Sequence, residues 1–355
     1  MSPPKERTHL QITPFKEELL ESHLLVDVRT PLEFAEDHLP GAINVPLLSD
    51  DERVEIGILH KEVGPHAARR RGLEMTAHRF PEMVRTIADA AGDRPILCYC
   101  WRGGLRSKTV AIILDLAGYQ AVQLTGGYKG FRAQVSGFFN PFTPKSTLVV
   151  LHGMTGIGKT TLLQRLKERG NSVVDLEGLA CHRGSAFGQL GLDQSLTQKR
   201  FETLLWDAFR KAPAGRPVIL EGESERIGRV SLPGDLYRKM GGGIRVWCHA
   251  SLKTRVQRLI GEYALPEYKE EMGVALQRIR KKLGGVRCDE LAGNLERWEM
   301  EPFMTGLVCD YYDKVYYKNR TWEAEFDLGM EDFDRAAAEL EGLLAARVKT
   351  GAGSA

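Results

Sequence analysis

The sequence predicts an α/β chain of two domains in series, each built on a parallel sheet with its ligand site at a strand-to-helix turn. Two glycine-rich turns and the rhythm of the elements carry that expectation. Residues 97–107 read L-C-Y-C-W-R-G-G-L-R-S, an apolar run that hands over to a glycine-rich loop and then to a helical pattern at 108–116. Residues 146–166 repeat the arrangement with an apolar run, G-M-T-G-I-G-K-T at 153–160, and a second helical pattern. Beyond them short β-rich runs alternate with helical stretches. That alternation means parallel crossovers, with ligands bound at the carboxyl ends of the strands.

In the first turn Cys100 ends the apolar run, five residues separate it from Arg106, and Ser107 follows. A thiol at the mouth of such a loop faces backbone N–H groups and a helix N-terminus, which stabilise an anion beside it. The alternative is a small buried thiol that happens to precede a turn. Cys98, two residues earlier on the same strand, is expected to point into the core. Upstream, residues 24–47 read L-L-V-D-V-R-T-P-L-E-F-A-E-D-H-L-P-G-A-I-N-V-P-L, and downstream residues 122–131 read V-Q-L-T-G-G-Y-K-G-F. Together these segments resemble the rhodanese-type sulfurtransferase domain, from about residue 10 to 139. The resemblance implies that Cys100 carries a persulfide and that Asp27 and Arg29 form a structural ion pair. The departure is loop length. Many rhodaneses have four residues between cysteine and arginine, whereas five is the spacing of related phosphatases, whose loop holds a tetrahedral phosphate. A roomier loop suits a phosphorus-bearing donor and leaves phosphatase activity open.

The second turn is G-x4-G-K-T in the strand–loop–helix context its mechanism requires. Gly153, Gly156 and Gly158 let the backbone N–H groups of a cradle formed with Thr155, Ile157 and Thr161 close on phosphate oxygens. Lys159 adds a point charge, and Thr160 is the expected magnesium ligand where a metal accompanies the phosphates. The motif specifies a bound di- or triphosphate and not which one. Residues 171–176 read as a strand leading to Asp175 and Glu177, which serve equally well as surface carboxylates. Residues 216–221 (R-P-V-I-L-E) read as a buried strand whose terminal Glu221 sits where such folds place a metal-water or base carboxylate. Residues 244–248 form another strand before a helix at 251–259. A last helix at 332–348 places Phe333, Ala337, Leu340, Leu343 and Leu344 on one face. The prolines of F-N-P-F-T-P-K mark a linker. The expected layout is therefore a first domain at 9–139, a linker at 140–145, a second domain at 146–349 and a disordered tail at 350–355.

At 355 residues and 43% hydrophobic, the chain can build two ordinary cores. It has no run of ~18 apolar residues and a charged N-terminal stretch, so neither a membrane span nor a signal peptide is expected, and the reading is a cytoplasmic protein with no membrane partner. The 6 cysteines contain no C-x2-C pair, hence no disulfide framework and no recognisable zinc site. The adjacent pairs Cys181–His182 and Cys248–His249 read as packing or surface placement rather than metal ligation. A net charge of +2 does not by itself announce a nucleic-acid protein. Two basic clusters, Arg69–Arg70–Arg71 and Arg278, Arg280, Lys281, Lys282, Arg287, suit either an RNA backbone or a solvated helix face. Tyr311, Tyr312, Tyr316, Tyr317 and Trp322 suit base stacking, an apolar pocket or ordinary packing, the last being favoured.

Both halves together, in this order, resemble the tRNA 2-selenouridine synthase family over about residues 9–330. The resemblance rests on C-W-R-G-G-L-R-S at 100–107, G-M-T-G-I-G-K-T at 153–160 and L-E-G-L-A-C-H-R-G-S-A-F-G at 176–188, the last without assignable chemistry. It implies S-geranylation of a wobble 2-thiouridine by geranyl diphosphate, then replacement of the geranylated sulfur by selenium from selenophosphate. A thiocarbonyl sulfur leaves poorly and an S-alkylated one leaves as a thiol, so alkylation prepares the displacement. In this reading Cys100 takes selenium as a Cys–S–Se intermediate, and Arg106 and the loop amides of Gly103 and Gly104, with Ser107, hold the phosphate. Trp101 and Arg102 either contact the target base or pack at the loop base. The cradle at 153–161 holds geranyl diphosphate or ATP, and the residues do not choose between them. No tightly bound metal is expected. The implied partners are tRNA and an enzyme that supplies selenophosphate. Two rivals remain: a phosphatase or arsenate-reductase-like enzyme with an NTP-binding half, which lacks a carboxylate among residues 101–105 to serve as acid, and an RNA-binding sulfur carrier.

Overall fold

Short apolar runs bounded by turn residues become strands here, and the central ones, such as Leu24–Asp27, Ile96–Tyr99 and Val218–Glu221, are buried along their whole length, as the middle of a parallel sheet requires. The computed structural model describes residues 10–314 and 325–351. It divides into two compact units, one holding the described residues up to Phe138 with Glu202–Leu204, the other the remainder.

Among the described residues the first unit carries a five-stranded parallel sheet, β1 (Gln11–Thr13), β2 (Leu24–Asp27), β3 (Ile43–Asn44), β4 (Ile96–Tyr99) and β5 (Ala121–Leu124), in the order β1-β5-β4-β2-β3. All four residues of the central β4 are buried. The register sets Val26 beside Cys98 and Asp27 beside Tyr99. Cys98 lies in the core with Leu24, Val26, Ile87 and Leu114, and burial pushes its thiol up to about 12. The ion pair implied by the rhodanese resemblance is present: Arg29 meets Asp27 at 2.6 Å with both side chains fully buried. Arg29 also donates to the Asp37 carbonyl at 2.6 Å and lies 3.9 Å over the Tyr128 ring. Removing one partner of such a pair leaves an uncompensated buried charge, so it fixes the chain where β2 ends. Thr30 then opens helix Pro31–Glu36 with a capping box closed by Glu33.

The basic cluster at 69–71 lies exposed on helix Pro65–Thr76, where Arg70 pairs with Glu74 and Arg71 with Glu55. Helix Leu105–Leu116 follows the Cys100 loop and packs Val110, Ala111 and Leu114 into the core.

The second unit is a parallel sheet of β6 (Leu148–Gly153), β7 (Ser172–Val174), β8 (Val218–Glu221), β11 (Ile244–His249) and β12 (Phe326–Gly329), ordered β12-β11-β6-β8-β7 among the described residues. Between β8 and β11 lies a small antiparallel pair, β9 (Arg226–Ile227) and β10 (Val230–Ser231). Helix Lys159–Glu168 buries Leu162, Leu163 and Leu166 in one core with Ala336, Ala337, Leu340 and Leu344 of the last helix. That helix runs Phe333–Gly351, so residues 350–351, expected in a disordered tail, are helical. No proline interrupts it before Gly351, and Arg347 in its last turns pairs with Glu325 at 2.6 Å. The rest of the expected tail, and Tyr316, Tyr317 and Trp322, lie outside the described residues.

A second core in this unit joins helices Leu252–Tyr263, Lys269–Leu283, Gly285–Glu296 and Met300–Leu307. Of the second basic cluster, Arg280 is committed to Asp289 and Arg287 to Glu290 and Asp310, while Arg278, Lys281 and Lys282 are exposed. The segment expected as a linker is anchored to this unit. Phe142 is buried and its ring centre lies 5.3 Å from that of Phe209.

Candidate active sites

β4 stops at Tyr99, residues 100–104 turn, and helix Leu105–Leu116 begins. Cys100 sits at the bottom of the turn, only 3% exposed. Its Sγ accepts hydrogen bonds from the Gly104 N–H and the Ser107 hydroxyl, each at 3.2 Å. The Gln123 amide on β5 donates to the carbonyls of Gly103 and Gly104 and to Ser107 Oγ, all at 2.9 Å. Peptide planarity sets the N–H opposite the carbonyl, so a Gly103 carbonyl turned to Gln123 aims the Gly104 N–H at the thiol. Gly103 has φ +66°, and a Cβ there would lie 2.4 Å from the Leu124 carbonyl. Only glycine fits that close approach. The Tyr128 and Lys129 N–H groups hold the carbonyls of Cys100 and Trp101 at 2.9 Å from below.

Arg106 is engaged by Glu33. Its two terminal nitrogens donate to the two carboxylate oxygens at 2.6 and 3.2 Å, in a partly buried fork. Burial alone would raise the Glu33 carboxyl, but the hydrogen bond and charge of Arg106, the Thr30 N–H and Arg29 hold it below its ordinary value. The fold therefore does bring a carboxylate to the loop, from 73 residues away in sequence. The expectation of a loop without one looked only within it. Held ionised, Glu33 positions Arg106 and is no proton donor. Trp101 is half-buried with its ring centre 5.2 Å from that of Tyr128, whereas Arg102 is exposed.

In the second unit β6 ends at Gly153, residues 154–158 turn, and helix Lys159–Glu168 begins. Gly153, Gly156 and Gly158 have φ of +159°, +80° and +87°. A Cβ on Gly158 would lie 2.5 Å from the Phe333 ring. Two arginines of helix Leu252–Tyr263 clamp the loop's carbonyls: Arg255 reaches that of Thr155 at 2.9 Å and Arg258 that of Ile157 at 2.5 Å. Tying carbonyls outward turns the following N–H groups the other way, the arrangement an anion cradle needs. Lys159 Nζ lies 3.4 Å from the Gly153 carbonyl at the mouth of the turn.

A cavity of about 610 Å³ opens over this loop, lined by residues 155–161, Glu177, Arg183, Glu223 and Phe333 among others. Thr155, Gly184, Ser185 and Glu223 also line a second cavity of about 660 Å³, walled by Val150, Tyr237, Met240, Tyr311 and Tyr312. The two cavities are thus neighbours that share these four residues. The segment 176–188, which had no assignable chemistry, is the wall between them. Arg183 pairs with Glu262 at 2.6 Å and bonds the Leu190 carbonyl at 2.7 Å, which fixes Gly184 and Ser185 at the junction. Cys181 lines the first cavity, and Cys248 is buried. Among the described residues no cluster of three His, Cys, Asp or Glu side chains could hold a metal ion.

Glu221 lies below the cavity rather than in it. One oxygen accepts the Glu177 N–H at 2.5 Å, the other has no partner among the described residues, and burial with the nearby Asp175 charge pushes its carboxyl well above the usual range. Three carboxyls line the cavity: Glu262, paired with Arg183, Glu177, which accepts the Thr160 hydroxyl at 3.3 Å, and Glu223, hydrogen-bonded to Glu177. Burial pushes Glu223 up to about 8 against the pull of Lys159, and Glu177 adds to the rise. Sequence reasoning stopped at the strand end and missed Glu223, two residues further on. Asp175 instead caps helix Leu176–Leu179 by accepting the Gly178 N–H at 2.8 Å.

These two turns are matched in known proteins in the same order. Residues 14–134 match the rhodanese-like domain family, and residues 146–331 match the family described as the tRNA 2-selenouridine synthase AAA domain. A tRNA 2-selenouridine synthase of Cupriavidus pinatubonensis is 35% identical over 333 residues, covering 85% of this chain and 90% of its own. One from Pseudomonas fluorescens is 33% identical, covering 86% and 91%, and one from Nitrosomonas eutropha 35%, covering 82% and 87%. Identity at this level runs through both units, and the chain belongs to the tRNA 2-selenouridine synthase family.

Proposed function

We propose that this chain modifies the wobble uridine of tRNA in two steps: S-geranylation of 2-thiouridine by geranyl diphosphate at the 153–160 loop, then replacement of that sulfur by selenium from selenophosphate at the Cys100 loop. The observation that supports the reading is that the cavity over the 153–160 loop and the tyrosine-walled cavity adjoin, sharing Thr155, Gly184, Ser185 and Glu223. A diphosphate head at Lys159 and an apolar ten-carbon tail along Tyr237, Met240, Tyr311 and Tyr312 use both parts. The relatives' shared name points to the tRNA selenation outcome.

Alkylation forms the S–C bond, breaks the C–O bond to diphosphate, and frees the N3 proton of the base. The loop N–H groups and Lys159 stabilise charge on the departing diphosphate. The Glu177–Glu223 pair faces the same space and can take up the proton. Where magnesium accompanies the diphosphate, the Thr160 hydroxyl and Glu177 carboxylate are the oxygen donors at hand, and the ion adds positive charge at the leaving group. In the selenation step, at the first unit's loop, Cys100 acts as nucleophile with Arg106 and the Gly104 N–H around the phosphorus centre.

The test is nucleoside mass spectrometry on purified protein with 2-thiouridine tRNA. S-geranyl-2-thiouridine should form with geranyl diphosphate alone, and 2-selenouridine only when selenophosphate is added. Selenation that needs ATP and ignores geranyl diphosphate would overturn the assignment of the cradle.

A further inference from the structure

We propose that Cys100 accepts a phosphoryl group from a selenium–phosphorus bond, so that the loop is a phosphatase-type turn specialised for a selenium leaving group. The inference rests on selenophosphate being the selenium donor, as proposed above.

Electron balance comes first. Thiosulfate can pass its outer sulfur to a cysteine because sulfite leaves with the bonding pair. In selenophosphate the phosphorus is pentavalent and the selenium is already at the selenide level. Moving that selenium onto a cysteine sulfur would expel phosphorus at the phosphite level, or would require an oxidant. The Cys–S–Se intermediate expected from the resemblance therefore does not balance with this donor. The balanced route keeps phosphorus pentavalent. Selenium of selenophosphate attacks C2 of the S-geranylated base; the C2–Se bond forms, the C2–S bond breaks, and geranylthiol leaves with a proton. The base now carries an Se–P bond. Cys100 Sγ attacks phosphorus; the S–P bond forms, the P–Se bond breaks, and its electron pair stays on selenium as the selenocarbonyl of the product. Water then attacks phosphorus, phosphate and a proton leave, and the thiolate is restored.

The loop has the parts for those last two steps. Five residues separate Cys100 from Arg106, enough for a turn that encloses a tetrahedral phosphoryl group. Arg106 gives two of its five N–H donors to Glu33, which fixes its direction and leaves the others for phosphoryl oxygens. Ser107 donates to Cys100 Sγ at 3.2 Å and is itself held by Gln123, so the sulfur has a fixed donor when it departs from phosphorus. An ordinary phosphate ester needs an acid to protonate its leaving oxygen. Glu33, the carboxylate brought to this loop, is tied up as the ionised partner of Arg106. A selenocarbonyl leaves without a proton, so an ionised Glu33 committed to Arg106 is compatible with this leaving group.

The experiment follows the full-length protein with S-geranylated tRNA and selenophosphate through a rapid denaturing quench. Expected on the Cys100 peptide is a phosphoryl addition with phosphorus's single isotope, enriched in Ser107→Ala, and orthophosphate in solution. Cys100→Ser should lose 2-selenouridine and leave tRNA bearing a phosphorylated selenouridine. Selenium's multiple isotopes on Cys100, phosphite as product, or S-geranylated tRNA as the sole species left by Cys100→Ser would overturn the proposal. Absence of selenium from tRNA with the wild-type protein would instead overturn the functional reading on which it rests.

Discussion

The Cys100 loop and the 153–160 loop solve one problem in two ways. Each follows a parallel strand, turns through residues 100–104 or 154–158, and presents N–H groups at the start of a helix. The first is braced from within: Gln123 and Ser107 fasten its carbonyls and its thiol, and Glu33 aims its arginine. The second is braced from outside by Arg255 and Arg258, and its cavity holds a carboxyl pair in place of a nucleophile. In the proposed function the shared backbone arrangement supplies anion binding, and the side chain at the base of the turn decides the chemistry. A thiol makes covalent transfer available; a lysine only steadies a leaving group.

If that division is right, Cys100→Ser gives the largest effect and confines it to one step. Formation of 2-selenouridine should fall by on the order of a thousandfold or more, as for loss of a nucleophile, while S-geranylation stays within about twofold. Nucleoside mass spectrometry reads both. Equal loss of the two modifications in a folded variant would break the comparison.

Lys159→Ala is the converse. Removing a preorganised positive charge from a leaving diphosphate should slow geranylation by about a hundredfold or more, and selenation of plain 2-thiouridine tRNA should stall with it. Supplying S-geranylated tRNA should restore selenation, because the later step does not use this cradle. Without rescue, and with tRNA binding intact, geranyl diphosphate would have to be abandoned as the ligand.

Both loops were legible in the sequence because each is local: strand, glycines, charged residue and helix lie within about twenty residues. What tunes them was not. Glu33 reaches Arg106 across 73 residues and Arg255 reaches Thr155 across 100, and such contacts follow from crossover topology, which no local pattern encodes. Glu221 looked like the cavity carboxylate because it ends a strand, yet its burial keeps it out of the cavity and the next outward-facing position, Glu223, takes the place. The segment 176–188 was recognisable but unreadable, since its part as a dividing wall exists only once Gly184 and Ser185 stand between two cavities.

Glu223 offers a smaller effect that only the second loop should show. Its carboxyl in the fold is raised from 4.5 to about 8, so it is neutral below that pH and gains charge above it. A new charge beside Glu177 opposes a bound phosphate. Calorimetry with inorganic diphosphate should therefore show binding weakening as pH rises through about 8, by up to about tenfold per unit beyond it. Glu223→Gln should flatten that added slope. The same raised value makes the wild-type fold lose stability as pH climbs from the ordinary carboxyl range toward 8, and the variant should escape this loss. An unchanged profile in Glu223→Gln would place the carboxyl outside the phosphate's reach.

The smallest effect on chemistry should come from Cys98, which shares a strand and a core with Cys100 but not its loop. It is fully buried and its thiol is pushed up to about 12 by burial, so it is present as a neutral packing group. Serine there puts a hydroxyl among Leu24, Val26 and Ile87, at a cost of about 1–3 kcal/mol unless it finds a partner. The expected result is a lowered melting temperature with both modifications retained at temperatures where the protein is folded. The contrast with Cys100→Ser is the point: two thiols two residues apart, one acting through volume and the other through its electrons. Full loss of selenation in a folded Cys98→Ser protein would move the nucleophile down the strand and take the loop's anion cradle out of the reaction.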